Sequence, residues 1–296
     1  MKKIILLLVC LMGFSSLFAD LSTGLVVKYL FNGNAVDESG TGNDGTVYNA
    51  VSIPDRYGNA VSAYEFGTDK YILALSDSTL NITSQLTMAA WVYLHNGAST
   101  WQSIFCKGET SSMDSPYALL IRNYKITFLP NREHYYGSID VPTEEWVHIV
   151  VTWDGNTIKY YINGVKDNRE DSYSNTLNIV DNDLVIGKDA PGVTEWFNGN
   201  LDDLYLYNRA LSESEVQELY QNNGISSPQN VEITLYNGAV SIVWDEVSGA
   251  TYNVYSSFDP DLPLSQWYLE VSGWTVENWD STITEDKIFY KVTAVK

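Results

Sequence analysis

Three groups of residues in this chain have the types and spacing for chemistry. The loop Asp37–Gly45 (DESGTGNDG) packs three glycines and three acids into nine residues. Glycines at that density let carbonyl oxygens converge beside carboxylates, and a hard cation such as Ca²⁺ takes roughly six to eight oxygen ligands. A second group is aromatic and polar. Asn131-Arg132-Glu133-His134-Tyr135-Tyr136, Trp101, and Glu195-Trp196 read as loop residues whose rings can stack on a sugar while Arg132 and its neighbours bind hydroxyls. The third group is acidic. Glu144-Glu145 and Glu170-Asp171 are adjacent pairs, and neighbours in a strand point to opposite faces, so neither is a general acid and base acting on one bond. His95, His134 and His148 are scattered, with no Ser/His/Asp set and no His/Cys metal spacing. His148, between Val147 and Ile149, reads as a core histidine rather than a catalytic one.

These groups must be held by strands. From Trp146 to Trp153 nearly every residue is apolar or β-branched, as in a strand covered on both faces. Asp154-Gly155-Asn156 breaks the run. Ile158, Tyr160 and Ile162 then alternate with polar neighbours, and Asn163-Gly164 is a two-residue hairpin signal before Val165. The segment predicts a three-stranded meander. Further strands are expected over Leu25–Phe31, Tyr64–Phe66, Tyr71-Ile72, Leu86–Leu94, Tyr117–Arg122, Lys125–Leu129 and Asp183–Gly187, with Ser103–Cys106 paired to Leu86–Leu94. Short strands at this spacing, without helices between them, argue for an all-β sandwich. The one helix expected follows Leu211. Ser212 at the N-cap and Glu215 three residues on form a capping box, with Leu211 and Val216 as its hydrophobic staple.

Length and composition set the frame. At 296 residues the chain suggests two domains. Met1-Lys2-Lys3 and the apolar run to Phe18-Ala19 read as a secretory signal peptide over residues 1–19, and no later run is long enough to span a membrane. Removing that segment takes away two lysines and no acid, so the formal charge goes from −20 to −22. Such a surface repels nucleic acid and anionic lipid and suits a secreted or cell-surface protein. One cysteine, Cys106, then remains, and it reads as a buried, inert thiol.

The spacing Trp146-x-His148, then Thr152-Trp153-Asp154-Gly155 and Tyr161-x-Asn163-Gly164, resembles the laminin-G-like, concanavalin A-like jelly-roll domains. So does Phe197-Asn198-Gly199-Asn200-Leu201-Asp202-Asp203-Leu204-Tyr205-Leu206-Tyr207-Asn208-Arg209-Ala210-Leu211-Ser212 ahead of a short helix. With the Asp37 loop and the Trp91 strand, the resemblance runs in order from about Leu21 to Asn222. It implies an antiparallel jelly-roll sandwich over 20–223. It also implies one structural Ca²⁺, held by Asp37, Gly40, Asn43 and Asp202; an Asx turn at Asp37 and a solvated Asp202 are the alternative. Such folds include glycosidases, but the E-x-D-x-x-E strand signature of one such group is absent.

A linker at 224–227 separates this region from 228–296, where the pattern changes. Val243-Trp244-Asp245, Tyr252-Asn253-Val254-Tyr255 and Tyr290–Val295 are similar to fibronectin type III modules, which implies a small β-sandwich with Trp244 in its core. Such modules continue to a final strand where this chain has Lys296. A six-stranded form, or an edge left open to a partner, is implied. The combined expectation is a secreted, non-catalytic protein that recognises a carbohydrate or an extracellular protein. The site residues expected are Trp101, Arg132, Tyr135, Tyr136 and Trp196, with Ca²⁺ fixing the loops. A structural surface or adhesion module is the alternative, and a polysaccharide-active enzyme is disfavoured.

Overall fold

The computed structural model of the protein describes residues 21–97, 100–108, 115–189, 195–221, 231–236, 239–244, 251–257, 267–276, 278–282 and 289–295. The expected signal peptide and the linker at 224–227 lie outside them. Fifteen strands precede the helix. They are β1 (Leu25–Tyr29), β2 (Gly45–Tyr48), β3 (Val51–Ile53), β4 (Ala63–Phe66), β5 (Tyr71–Ala74), β6 (Leu86–Leu94), β7 (Trp101–Lys107) and β8 (Tyr117–Arg122). Next come β9 (Lys125–Phe128), β10 (Tyr135–Asp140), β11 (Trp146–Trp153), β12 (Thr157–Ile162), β13 (Val165–Ser172), β14 (Leu184–Ile186), β15 (Gly199–Tyr207) and the helix α1 (Glu213–Gln221).

The strands form two antiparallel sheets. The eight-stranded sheet runs β13-β12-β11-β6-β15-β4-β3, with β1 added to β15; the seven-stranded sheet runs β10-β9-β8-β7-β14-β5-β2. The predicted meander is β11-β12-β13. Its hairpin turns at Asn163 and Gly164, both at positive φ (51° and 75°), the backbone a tight two-residue turn demands. The expected partner of Ser103–Cys106 is corrected. β7 lies in the opposite sheet between β8 and β14, whereas β6 pairs with β11 and β15. Alternation tells which face a residue takes but not which strand lies beside it.

Side chains at period two fill the space between the sheets. Leu86, Met88, Ala90 and Val92 of β6 meet Val147, Ile149 and Val151 of β11, Leu119 and Ile121 of β8, and Ile126 and Phe128 of β9. The eight-stranded sheet is covered on its other face too. There Ala89, Val150, Tyr161, Tyr205 and Tyr207 pack against Leu211, Val216 and Leu219 of the helix segment. Apolar cover on both faces is why β11 reads as a continuous apolar run. The capping box forms as expected. Ser212 N–H donates to the Glu215 carboxylate at 2.6 Å, and Glu215 N–H donates to Ser212 Oγ at 3.3 Å.

Beyond residue 230 six more strands follow: β16 (Glu232–Tyr236), β17 (Ala239–Val243), β18 (Thr251–Ser257), β19 (Tyr268–Trp274), β20 (Asn278–Thr282) and β21 (Phe289–Val295). They pair as β16-β17-β20 and β19-β18-β21. Their core holds Val240, Ile242, Trp244, Tyr252, Val254, Trp279 and Val292.

Ile149 is fully buried between the sheets. Ile149→Ala should cost about 2–5 kcal/mol, the range for emptying a well-packed core site. Urea unfolding of the variant against wild type measures it.

Candidate functional site

The residues expected to hold calcium are engaged elsewhere. Asp37 Oδ1 accepts the backbone N–H groups of Lys28 and Ser39, each at 2.9 Å. Its Oδ2 accepts Asn43 N–H at 2.9 Å and the hydroxyls of Ser39 and Thr41 at 2.8 and 3.0 Å. Burial works to raise the Asp37 pKa, but these bonds outweigh it and hold the carboxyl below the usual range. Asn43 is locked as well: its carbonyl accepts the Tyr29 hydroxyl at 2.5 Å, and its amide donates to Val26 O at 2.9 Å. Gly40, at φ 86°, makes the turn between them. Backbone N–H groups thus point at both Asp37 oxygens, while the Ser39 and Thr41 hydroxyls, with one proton each, are shared between Asp37 Oδ2 and Val26 O, the latter at 3.1 and 2.6 Å. This loop is an Asx-type knot.

Asp202 lies in a different setting, and it is not solvated either. It is 2% exposed, and its Oδ2 sits 2.5 Å from Arg56 Nη1, while Asp203 Oδ2 sits 2.6 Å from Arg56 Nη2. Adjacent strand residues normally face opposite ways. Here the register shifts between Asp202 and Tyr205, and Asp203 takes φ 44°, which turns both carboxylates onto one guanidinium. Burial and mutual repulsion push the pair toward the protonated form, and Arg56 opposes them. Among the described residues no cluster of three or more His, Cys, Asp or Glu could hold a metal. Arg56 already supplies the cation that Asp202 was expected to take from solution. With Asp202 taken by Arg56, a calcium ion at the Asp37 loop would have to be held without it.

Arg56 anchors an aromatic layer on the same face. Its guanidinium lies 4.4 Å from the Trp91 ring centre. Trp91 touches His148 and Tyr220, with centroids at 5.3 and 5.6 Å. His148 is a core residue, as expected, yet neither ring nitrogen has a hydrogen-bond partner. Burial, and secondarily Arg56, push its pKa down to about 3, so it is held as the neutral ring. The motif Trp-x-His with Asn-Gly is thereby explained as packing: Asn163 Oδ1 accepts His148 N–H at 2.9 Å, and Gly164 faces the Tyr220 ring.

The aromatic candidates lie on the other sheet. Because Ile126 and Phe128, Leu119 and Ile121, and Ile72 and Ala74 point into the core, their neighbours turn outward. The outward face of the seven-stranded sheet thus carries Tyr136 beside Thr127 on β9, Arg122 beside Trp101, and Tyr71 beside Tyr48. Arg122 lies 4.1 Å from the Trp101 ring centre, and His134 meets the same ring edge-on at 5.5 Å. Tyr48 and Tyr71 stack at 4.6 Å, Trp196 lies 6.4 Å from Tyr71, and Lys188 Nζ is 4.9 and 4.7 Å from the Tyr71 and Trp196 rings. Trp101 and Trp196 therefore lie on the outward side, while Tyr136, on the edge strand β10, lies 4.3 Å by its ring centre from Arg169 of β13.

Tyr135 is not among them. It packs against the main core and donates its hydroxyl to Glu133 at 2.7 Å, and this corrects its place as a ring platform. Arg132 stands at φ 69° in the turn before β10, close enough to His134 to lower the histidine's pKa after burial and Arg122. Tyr48, Tyr71, Arg122 and Lys188 were missed by sequence reading; the alternation of β2, β5 and β8 was the signal for three of them. The acid pairs separate as expected: Glu170 binds Lys166 at 2.8 Å, while Asp171 binds Arg169 at 3.0 Å. Cys106 is buried, and its thiol lies 3.2 Å from Asp189 Oδ1.

Arg56→Met leaves two buried carboxylates unpaired and should cost about 3–5 kcal/mol. Chelator or added calcium should leave the wild-type melting temperature unchanged; a calcium-dependent rise would restore the metal. His148 gives a separate signature. Its folded-state pKa of about 3 lies below the free value of 6.5, so the unfolded chain protonates first. Stability should fall as pH drops through that window, and His148→Phe should flatten that loss in urea titrations at stepped pH.

Comparison with known proteins places this geometry. Residues 66–217, just over half of the chain, match the laminin G family described as the concanavalin A-like lectin/glucanases superfamily. Curated proteins give no match. Among solved structures, domain 4 of AbnA, a GH43 extracellular arabinanase from Geobacillus stearothermophilus in complex with arabinotriose, aligns with TM-score 0.53 and 20% identity, covering 67% of this chain and 98% of that one. The receptor-binding domain of a botulinum neurotoxin C/D mosaic serotype aligns with TM-score 0.56 and 15% identity, covering 84% and 69%. The binding domain of Paraclostridial Mosquitocidal Protein 1 gives 0.54 and 15%, over 81% and 62%. At these identities the likeness is one of fold. With the two packed sheets and the family match over the region that builds them, the chain belongs to the concanavalin A-like lectin/glucanases superfamily.

Proposed function

We propose that this protein is a secreted, non-catalytic saccharide-binding protein whose site is the outward face of the seven-stranded sheet. The observation that carries the reading is the convergence of aromatic rings there. Tyr136, Trp101, Trp196, Tyr71 and Tyr48 come from strands or loops far apart in sequence, yet all are on or beside the face turned from the core. Folding does not require that arrangement. Tyr48 is 40% exposed although burying a tyrosine stabilises a fold, and rings left in water are available to a ligand. Rigid rings with polar tips suit sugars, which present C–H faces and a rim of hydroxyls.

The neighbours are consistent with this. One is a domain solved with arabinotriose, and another is from botulinum neurotoxin type C, whose cell entry depends upon interaction with two ganglioside molecules. The non-catalytic reading is supported by the acids. Glu144 is tied to Asn96 N–H at 2.6 Å, Asp171 to Arg169, and Asp202 and Asp203 to Arg56. Secretion rests on the leader-like residues 1–19, and among the described residues no helix is long and apolar enough to cross a membrane. We read the region beyond 230 as a fibronectin type III-like unit. Its two three-stranded antiparallel sheets closing on Trp244 support that reading.

Trp196→Ala and Tyr48→Ala should each abolish retention on an insoluble polysaccharide panel. Tyr48→Ala should leave stability within about 0.5 kcal/mol, as for an exposed side chain. Trp274→Ala, in the C-terminal region, should bind as wild type. Unchanged retention in both sheet variants would move the site elsewhere. No retention by wild type on any polysaccharide would leave a structural or adhesion module as the function.

A further inference from the structure

The same face carries the charge that the rest of the protein lacks. The chain has a formal net charge of −20, and most of its described cations are neutralised in place, as in Lys28–Glu38, Lys70–Glu65, Lys125–Asp140 and Arg209–Glu215. Lys107 is buried, with its ammonium bonded to Ser76 and Asn182. Arg122 and Lys188 differ. Among the described residues neither has a carboxylate within 4.0 Å; each instead lies over aromatic rings, Trp101 for Arg122 and Tyr71 with Trp196 for Lys188. Arg122 Nε is buried with no hydrogen-bond partner. A guanidinium over an indole can offer its terminal N–H groups to an oxyanion, and a lysine ammonium adds a point charge.

The two cations belong to one surface. Lys188 and Trp196 form an isolated antiparallel bridge. Asn198 N–H donates to the side chain of Gln102, next to Trp101, at 2.6 Å. Glu195 feels both Asp189 and Arg122, so the loop holding Trp196 reaches the Arg122 side. His134 meets Trp101 edge-on, and Arg122 and Arg132, after burial, lower its pKa and favour its neutral ring. Of the acids nearby, Asp189 is buried against the Cys106 thiol, and Glu195 lies close enough to Arg122 to feel its charge.

We propose that this face selects saccharides that carry carboxylates, with a uronic-acid polymer as the matching chemistry. Arg122 and Lys188 take the carboxylates, and Trp101 and Trp196 take the sugar rings. The inference rests on the saccharide reading of this face. Charge sharpens it, because a protein of net charge −20 repels polyanions at long range, so retention of one cannot be ion exchange.

Affinity gel electrophoresis of the full chain with de-esterified polygalacturonate, against the fully methyl-esterified polymer, tests it. The two share one sugar ring and differ in charge. The de-esterified polymer should retard the protein at about tenfold lower concentration, the scale of one charge-assisted contact. Lys188→Gln should erase that preference, and Arg122→Lys should reduce it while keeping the fold, as thermal melts would show. Equal retardation by both polymers overturns the proposal, as does a preference that survives both substitutions. If retardation is equal and Trp196→Ala still abolishes it, the saccharide reading stands and only the carboxylate selection falls. If neither polymer nor any neutral polysaccharide retards the protein, both readings fall.

Discussion

One buried guanidinium, that of Arg56, governs how the jelly roll is closed. It spans Asp202 and Asp203, both nearly inaccessible to water, and lies on Trp91. Two carboxylates and one cation leave a net negative charge inside, a state that low dielectric penalises unless a proton or further dipoles balance it. The geometry answers part of that cost. The bulge in β15 places both acids within hydrogen-bond reach, and Asp203 N–H donates to Asp202 at 2.8 Å. The Trp91 ring offers its electron-rich face to the guanidinium. An ion pair so placed adds little net stability over an apolar replacement, but it sets register: a slip of β15 by one residue would leave Arg56 without its acids.

That arrangement divides the molecule into a closed side and an open side. The eight-stranded sheet is sealed outside by Arg56, the His148–Trp91–Tyr220 layer and α1. Its side chains there are mostly buried, the His148 ring nitrogens without hydrogen-bond partners among the described residues. The seven-stranded sheet is different. Its inward residues complete the shared core, while its outward residues combine a buried apolar patch of Cys106, Ala118, Leu120 and Leu129 with the rings and cations around it.

The Asp37 loop belongs with the closed side. Three backbone N–H groups converge on one carboxylate, with the Ser39 and Thr41 hydroxyls shared between it and Val26 O, and the loop's glycines permit the positive φ values of 86° at Gly40 and 84° at Gly42. The same composition could have made a cation cage. Whether oxygens point inward to a metal or receive the chain's own N–H groups depends on the path of β1 past the loop, since Lys28 supplies one donor and Val26 accepts from three side chains of it.

Local pattern in the sequence determined most strands, the β11–β13 meander, the Asn163-Gly164 turn, the Ser212–Glu215 cap and, with the family motifs, the jelly-roll class. Each depends on residues a few positions apart, where period and turn chemistry act directly. Of the site, Trp101, Tyr136 and Trp196 were legible as aromatic loop or edge residues, but Tyr135, one position from Tyr136, faces the core because a strand turns alternate residues opposite ways. Only the tertiary structure decided that β7 joins β8 and β14, that Tyr48 and Lys188 meet Tyr71 and Trp196, and that Arg56 neutralises acids 146 and 147 positions away. Sequence spacing carries no record of such pairings. They exist because two sheets pressed face to face bury one side of each strand and bring distant strands into register on the other.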